Sequence, residues 1–239
     1  MTVTIVLVHG AYAESSSWNG VLPQLTQAGH RVLAFATPLR SVSSDAALLS
    51  ALVRSLDGPV VLAGHSYGGA VITNVDPGGT PVVGLVYVAG FALDPGESCG
   101  HASALVPGST LADTLTPVPT ADGGVDTYIA PEKYHHQFAA DLPADEAALM
   151  AVTQRPVTQA GLFEPSGPNP LWRTVPSWFV YGELDHNIPA GAHAIMAERA
   201  HARSVTMIPG ASHVVGISHP AETVAVILEA AGQPALADA

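Results

Sequence analysis

A serine lies at the centre of Gly64-His65-Ser66-Tyr67-Gly68, a segment that joins a predicted strand to a predicted helix. Apolar residues precede it, and small residues with helical spacing follow it. Glycines two residues before and after a serine let strand and helix approach closely at a strained turn that exposes the hydroxyl. A hydroxyl beside a helix N-terminus is suited to attack on a carbonyl group. Ser66 is therefore the candidate nucleophile.

The base and acid that a serine nucleophile needs are predicted on loops after two later strands. Where a serine occupies such a turn, the acid and then the histidine follow it in the chain, at strand ends. Asp185 and His213 meet this order. Asp94 and Glu183 also follow predicted strands, and His219 competes with His213, but Asp185 has the better position. His219 directly precedes a proline, which is typical of a helix start.

Two backbone N–H groups are predicted to bind the negative oxygen that forms during attack. One is that of Tyr67, directly after the nucleophile. The other is assigned to Ala11, because His9-Gly10-Ala11 follows the first predicted strand and lets the chain turn in closely.

Alternating strands and helices are expected to position these groups. Apolar runs predict six strands, at residues 3–8, 31–36, 60–63, 82–88, 177–181 and 204–208. Helical periodicity predicts a helix capped by Ser17, one capped near Ser43 or Ser44, and helices at 191–200 and 220–231. The tail from Gln233 to Ala239 is expected to fray. Alternation of this kind indicates an α/β fold with a mainly parallel sheet and right-handed crossovers.

The segment 94–172 interrupts this alternation. It contains predicted helices around 132–140 and 144–154 and no convincing strand. Because it leaves the sheet at one strand end and returns at the next, it is expected to cover the ligand crevice as a lid, with 1–93 and 173–239 as the core. An apolar pocket is predicted from Leu149 of the lid and from aromatic residues of the lid and the first loop, and the lid residues are equally compatible with ordinary packing. The aromatic residues are Tyr12, Tyr128, Tyr134, Phe138, Phe163 and Trp172.

Composition excludes several other classes of protein. The 239 residues carry 20 acidic and 8 basic side chains, a formal net charge of −12, and no Lys/Arg patch, so nucleic acid and anionic membranes are poor partners. Apolar runs are shorter than a membrane span requires. No metal site and no cofactor are predicted, since His135 and His136 are adjacent and face different sides of a helix. With one cysteine and no leader segment, a cytoplasmic protein is expected; a homodimer is left open.

Together these residues resemble the α/β-hydrolase superfamily, and within it the small carboxylesterases related to plant methylesterases and hydroxynitrile lyases. The resemblance rests on Val8-His9-Gly10-Ala11, Gly64-His65-Ser66-Tyr67-Gly68-Gly69, Asp185 before Ile188-Pro189, and His213. It implies an α/β-hydrolase fold and cleavage of small, largely apolar carboxylic esters through a Ser-His-Asp triad and an acyl-enzyme. Hydroxynitrile lyases of this kind carry Thr in place of Gly10 and Lys in place of Val214, which makes lyase chemistry the weaker expectation.

Other functions on the same scaffold stay open from the residues alone. They are cleavage of lactones or thioesters, a tailoring step in biosynthesis, and a ligand-binding receptor with little turnover.

Overall fold

The structure is a computed structural model that describes residues 2–232, so the predicted fraying of the Gln233 to Ala239 tail lies outside the described part. The strands are, in chain order, β1 (Thr4–Val8), β2 (Arg31–Phe35), β3 (Val60–His65), β4 (Val82–Val88), β5 (Leu115–Pro119), β6 (Val125–Ile129), β7 (Val157–Thr158), β8 (Ser177–Gly182) and β9 (Ser204–Ile208).

Six of these strands form one parallel sheet in the order β2-β1-β3-β4-β8-β9. Every residue of β1, β3 and β8 is buried, as expected for a sheet covered by helices on both faces. The six predicted strands are confirmed, with ends that differ by at most two residues.

The helices between and after these strands are α1 (Leu22–Gln27), α2 (Val42–Arg54), α3 (Tyr67–Thr73), α4 (Cys99–Ala102), α5 (Pro131–Phe138), α6 (Ala144–Thr153), α7 (Gln159–Phe163), α8 (Ala190–Arg199), α9 (Val215–Ser218) and α10 (Pro220–Ala230). Of these, α4 to α7 lie within residues 94–172, in the long connection from β4 to β8. No helix within residues 2–232 is long and apolar enough to cross a membrane.

Two predicted helix caps are wrong. Residues Ser15–Trp18 form a separate 3₁₀ turn, and α1 starts at Leu22 with a proline in its first turn, a position where proline favours helix initiation. Ser17 therefore does not cap α1. The cap of α2 is Ser41, whose hydroxyl accepts a hydrogen bond from the Ser44 N–H at 3.1 Å.

The segment 94–172 contains strands, which corrects the prediction of none. β5 and β6 form an antiparallel hairpin, and β7 adds two residues on the other side of β6. Prolines at positions 117 and 119 concealed β5, since proline is confined to strand edges and β5 is an edge strand of this small sheet. Asp122-Gly123 in the connecting turn, with Gly123 at φ +85°, was the available hairpin signal.

The strand order brings four loops to one end of the sheet. β1 lies between β2 and β3, where the direction of winding reverses, and Val8 at its end pairs with Gly64 of β3. At the other side, Gly182 at the end of β8 pairs with Ile208 of β9. Crevices beyond strand ends at such reversals are the usual ligand sites of open α/β sheets.

Candidate active site

The turn between β3 and α3 holds Ser66 in a strained conformation, φ 52° and ψ −122°. Glycine is required on both sides of it. A Cβ at Gly64 would lie 2.5 Å from the Gly68 carbonyl oxygen, and a Cβ at Gly68 would collide with the carbonyl oxygen of Val8 on β1. Because the neighbouring backbone fixes this geometry, the strain persists and the serine is held at the end of the sheet.

Asp185 and His213 are joined by a hydrogen bond in the protein interior. His213 Nδ1–H donates to Asp185 Oδ2 at 2.6 Å, and neither side chain has exposed surface. The other carboxylate oxygen, Oδ1, accepts the N–H groups of Asn187 at 2.7 Å and Ile188 at 2.9 Å. With its proton at Nδ1, the neutral ring of His213 presents a lone pair at Nε2.

The loops that carry this pair are held together by close backbone contact. A Cβ at Gly182 would collide with the carbonyl oxygens of Ala211 and Ser212. Only glycine therefore permits the end of β8 to approach the loop after β9 so closely.

A second histidine, which the sequence did not single out, also binds the carboxylate. His193 of α8 donates its Nε2–H to Asp185 Oδ2 at 3.3 Å, and its ring stacks on Tyr181 with centroids 4.7 Å apart. Burial lowers the pKa of His193 and outweighs the raising effect of Asp185. Burial alone would raise the pKa of Asp185, but the electrostatic interaction with His213 and the hydrogen bonds from His193 and His213 hold this pKa well below its usual range.

Two further buried histidines fix the turns around the serine. The Thr37 N–H donates to His9 Nε2 at 3.0 Å, so His9 carries its proton on Nδ1 and donates it to the Gly10 carbonyl at 2.9 Å. His65 Nε2–H donates to the His213 carbonyl oxygen at 3.1 Å. Burial lowers the pKa of His9 to about 4 and that of His65 to about 3, so both are neutral at pH 7.

Ser66 and His213 line one cavity of about 130 Å³ at the end of the sheet. His213 Nε2 is buried and has no hydrogen-bond partner among residues 2–232. Ala11 and Tyr67 line the same cavity, and neither N–H group donates to another group of the described chain. An imidazole nitrogen, a hydroxyl and two backbone N–H groups without partners thus belong to residues that line one cavity, and these are the kinds of group that acyl transfer uses.

Three of the six aromatic residues predicted for the pocket line this cavity: Tyr12, Phe138 and Phe163. The other three, Tyr128, Tyr134 and Trp172, do not, and neither does Leu149, which is exposed on α6. Tyr128 lies on β6. Tyr134 is buried, and its hydroxyl donates to the Tyr12 carbonyl oxygen at 2.8 Å. The ring N–H of Trp172 donates to the Leu93 carbonyl oxygen at 3.0 Å. Tyr134 and Trp172 therefore serve packing and anchoring instead.

Five further apolar residues, which the sequence did not assign to the pocket, also line the cavity: Phe91, Leu111, Leu115, Leu162 and Ile188. Single apolar residues in loops and short helices give no signal that separates a cavity wall from ordinary packing.

The competing candidates lie elsewhere. Asp94 faces Arg199 at 3.3 Å and Arg173 at 3.7 Å. Glu183 accepts the Gly210 N–H at 3.0 Å, and His219 precedes α10, as predicted. Across residues 2–232, no cluster of three or more His, Cys, Asp or Glu side chains could hold a metal ion.

Comparison with known proteins identifies the family. The model of the alpha/beta hydrolase family matches residues 5–226, and the chain belongs to that family. A carbendazim-hydrolysing esterase of Nocardioides sp. (strain SG-4G) is 35% identical over 109 residues, which cover 39% of this chain and 44% of that esterase.

Solved structures share the fold over nearly the whole chain. Polyneuridine aldehyde esterase superposes with a TM-score of 0.79 at 20% identity, covering 97% of this chain and 100% of that one. A pyrethroid hydrolase of Sphingobium faniae JZ-2 gives a TM-score of 0.74 at 20% identity, covering 98% and 99%. A methylesterase of Arabidopsis gives a TM-score of 0.75 at 17% identity, covering 97% and 99%.

Proposed function

We propose that this protein is a serine carboxylesterase in which Ser66, His213 and Asp185 form the catalytic triad. One observation about His213 carries the proposal. Its Nδ1 is hydrogen-bonded to the buried carboxylate of Asp185, and its Nε2 has no partner within residues 2–232. His213 and Ser66 line the same cavity. The esterase and hydrolase activities named for the similar proteins agree with this reaction.

In the proposed reaction, His213 Nε2 takes the Ser66 proton as Oγ attacks the ester carbonyl carbon. The Ala11 and Tyr67 N–H groups stabilise the oxyanion, and His213 then protonates the leaving alcohol. Water activated by the same histidine attacks the acyl-enzyme, which releases the acid and restores Ser66. Asp185 holds the Nδ1–H tautomer and stabilises the imidazolium.

The substrate is proposed to be a small, uncharged, largely apolar ester. Phe91, Leu115 and Phe138 contribute to the wall, and no Lys, Arg, Asp or Glu of the described chain lines the cavity. Residues 94–172 are proposed as the lid, because Leu111, Leu115, Phe138 and Phe163 all come from that segment. Substrate choice is then set chiefly by the lid.

The test is hydrolysis of p-nitrophenyl acetate and butanoate by the wild type, Ser66→Ala, His213→Ala and Asp185→Asn. Removal of Ser66 or His213 is expected to reduce turnover to background, and Asp185→Asn to lower kcat on the order of 10⁴-fold. Labelling by a fluorophosphonate, read by mass spectrometry, should give one adduct, on Ser66. Labelling elsewhere, or full activity in folded Ser66→Ala, contradicts the assignment.

A further inference from the structure

The polar side chains that line the cavity are almost all accounted for by partners inside the protein. Outside the triad, the Ser103 hydroxyl donates to the Gly100 carbonyl at 3.0 Å and the Ser109 hydroxyl to the Asn187 carbonyl at 2.9 Å. The Tyr12 hydroxyl pairs with Thr127, and the Tyr67 hydroxyl donates to Asp45. The side chain of Asn187 differs, because its Nδ2 has no partner within residues 2–232 although the residue is 2% exposed.

A chain of hydrogen bonds fixes which end of the Asn187 amide is free. Gln137 of α5 reaches the His186 carbonyl oxygen at 3.0 Å, and since a carbonyl only accepts, the contacting Gln137 atom is the amide nitrogen Nε2. That nitrogen also donates to Asn187 at 2.8 Å, so the Asn187 atom it meets is the oxygen Oδ1. The unpaired atom is therefore a donor, Nδ2.

Both the backbone and the side chain of Asn187 are held in place. Its N–H donates to the Asp185 carboxylate, its carbonyl accepts from Ser109, and Oδ1 accepts from Gln137. A buried donor without an acceptor is unfavourable, and a ligand that enters the cavity can supply the missing partner. Among the side chains that line this cavity, only one other buried nitrogen or oxygen atom lacks a partner within residues 2–232. It is His213 Nε2, to which the proposed reaction itself gives a role.

We propose that Asn187 Nδ2 binds an oxygen acceptor of the substrate that is not part of the scissile ester group. The inference rests on the proposed esterase function and narrows its substrate class to esters with a second acceptor, such as a keto, ether or hydroxyl oxygen. A carboxylate is excluded as that acceptor, because no Lys or Arg side chain among residues 2–232 lines the cavity to balance its charge. Esters with only hydrocarbon substituents leave Nδ2 unpaired and react more slowly.

The inference is tested with matched pairs of esters. For each pair, the ratio of the two kcat/KM values is compared between a variant and wild type, so the intrinsic reactivities of the esters cancel. Methyl 3-oxobutanoate is compared with methyl butanoate, and 2-methoxyethyl butanoate with butyl butanoate, by pH-stat. Asn187→Asp keeps the oxygen that Gln137 binds but replaces the donor, and Asn187→Leu removes both. For one of the two pairs, kcat/KM of the acceptor-bearing ester divided by kcat/KM of its hydrocarbon match is expected to fall in both variants, by at least about tenfold relative to wild type.

Asn169→Asp is the matched control. It makes the same change of side chain at an exposed asparagine outside the cavity, so the ratios are expected to stay within about twofold of wild type. Ratios unchanged in both Asn187 variants overturn the inference, and so does an equal fall in Asn169→Asp.

A binding measurement separates this inference from the esterase proposal. In Ser66→Ala, the affinity for the four esters is measured by calorimetry with and without Asn187→Asp. A wild type that hydrolyses none of them contradicts the esterase proposal alone. Preference for an acceptor-bearing ester that disappears with Asn187→Asp supports the inference, and equal binding of each matched pair overturns it.

Discussion

His193 Nε2 lies 3.3 Å from Asp185 Oδ2, with neither side chain exposed, so the carboxylate that orients His213 is shared by two histidines. His193→Leu removes one donor from a buried charged acceptor, and we expect the free energy of unfolding to fall by about 1.5–3 kcal/mol. kcat/KM should fall as well, because Asp185 then holds His213 less firmly. Urea unfolding and ester hydrolysis measure the two effects.

His193→Gln is the conservative variant, since the amide nitrogen of glutamine lies about as far along the side chain as Nε2 of histidine and also carries N–H donors. It is expected to recover most of both losses. Equal losses in the Leu and Gln variants would assign His193 to packing against Tyr181 alone.

His65 makes stability depend on pH. Burial, together with the neighbouring His213, lowers its pKa from 6.5 to about 3. Between these values the unfolded chain binds a proton that the folded protein does not, so stability is lost as pH falls from 6.5 toward 3. We expect His65→Gln, which retains an amide donor for the His213 carbonyl, to reduce the slope of unfolding free energy against pH by up to about 1.4 kcal/mol per unit.

Urea unfolding at pH 7, 6 and 5 measures that slope. His136→Gln, on the exposed side of α5, controls for the loss of a histidine. An unchanged slope in His65→Gln would show that His65 is not held neutral in the folded protein.

Gly10 keeps the first loop close to Ser66, the proposed nucleophile. A Cβ there would lie 2.7 Å from Ser66 Cβ and 2.8 Å from the His65 carbonyl oxygen. Gly10→Ala must therefore displace the loop that carries the Ala11 N–H, and we expect kcat to fall by about 10²–10³. Gly79→Ala, in a position with nothing within 4 Å of the added Cβ, is the control and should match wild type. Activity within tenfold of wild type in Gly10→Ala would contradict the assignment of the Ala11 N–H to the oxyanion hole.

Phe138 and Phe163 are expected to limit the length of the acyl or alcohol chain, because both line the cavity. Phe138→Ala and Phe163→Ala should raise the kcat/KM ratio of p-nitrophenyl hexanoate to acetate several-fold. Phe138 is buried and its loss costs about 3–5 kcal/mol, whereas Phe163 is 54% exposed and its variant should remain folded.

Trp172→Ala is the matched control for this series, since Trp172 lies outside the cavity wall and binds the Leu93 carbonyl. Its ratio should equal that of wild type. An unchanged hexanoate-to-acetate ratio in both Phe variants would show that these two rings do not limit the length of the substrate chain.

Local patterns made the sheet and the strained turn predictable. A buried parallel strand requires a continuous apolar run, and the turn around Ser66 requires glycines where a Cβ would meet backbone. The small sheet of the inserted segment was missed, because β5 contains two prolines and β7 only two residues.

The sequence by itself determined the family, the six strands and the order in which Ser66, Asp185 and His213 follow one another, because each leaves a pattern within a few residues. Only the tertiary structure decided that Asp185 and not Asp94 binds His213, and that His193 binds the same oxygen. It also decided which aromatic rings reach the cavity and which end of the Asn187 amide is free. These depend on side-chain directions and on contacts between residues far apart in the chain, which no local spacing encodes.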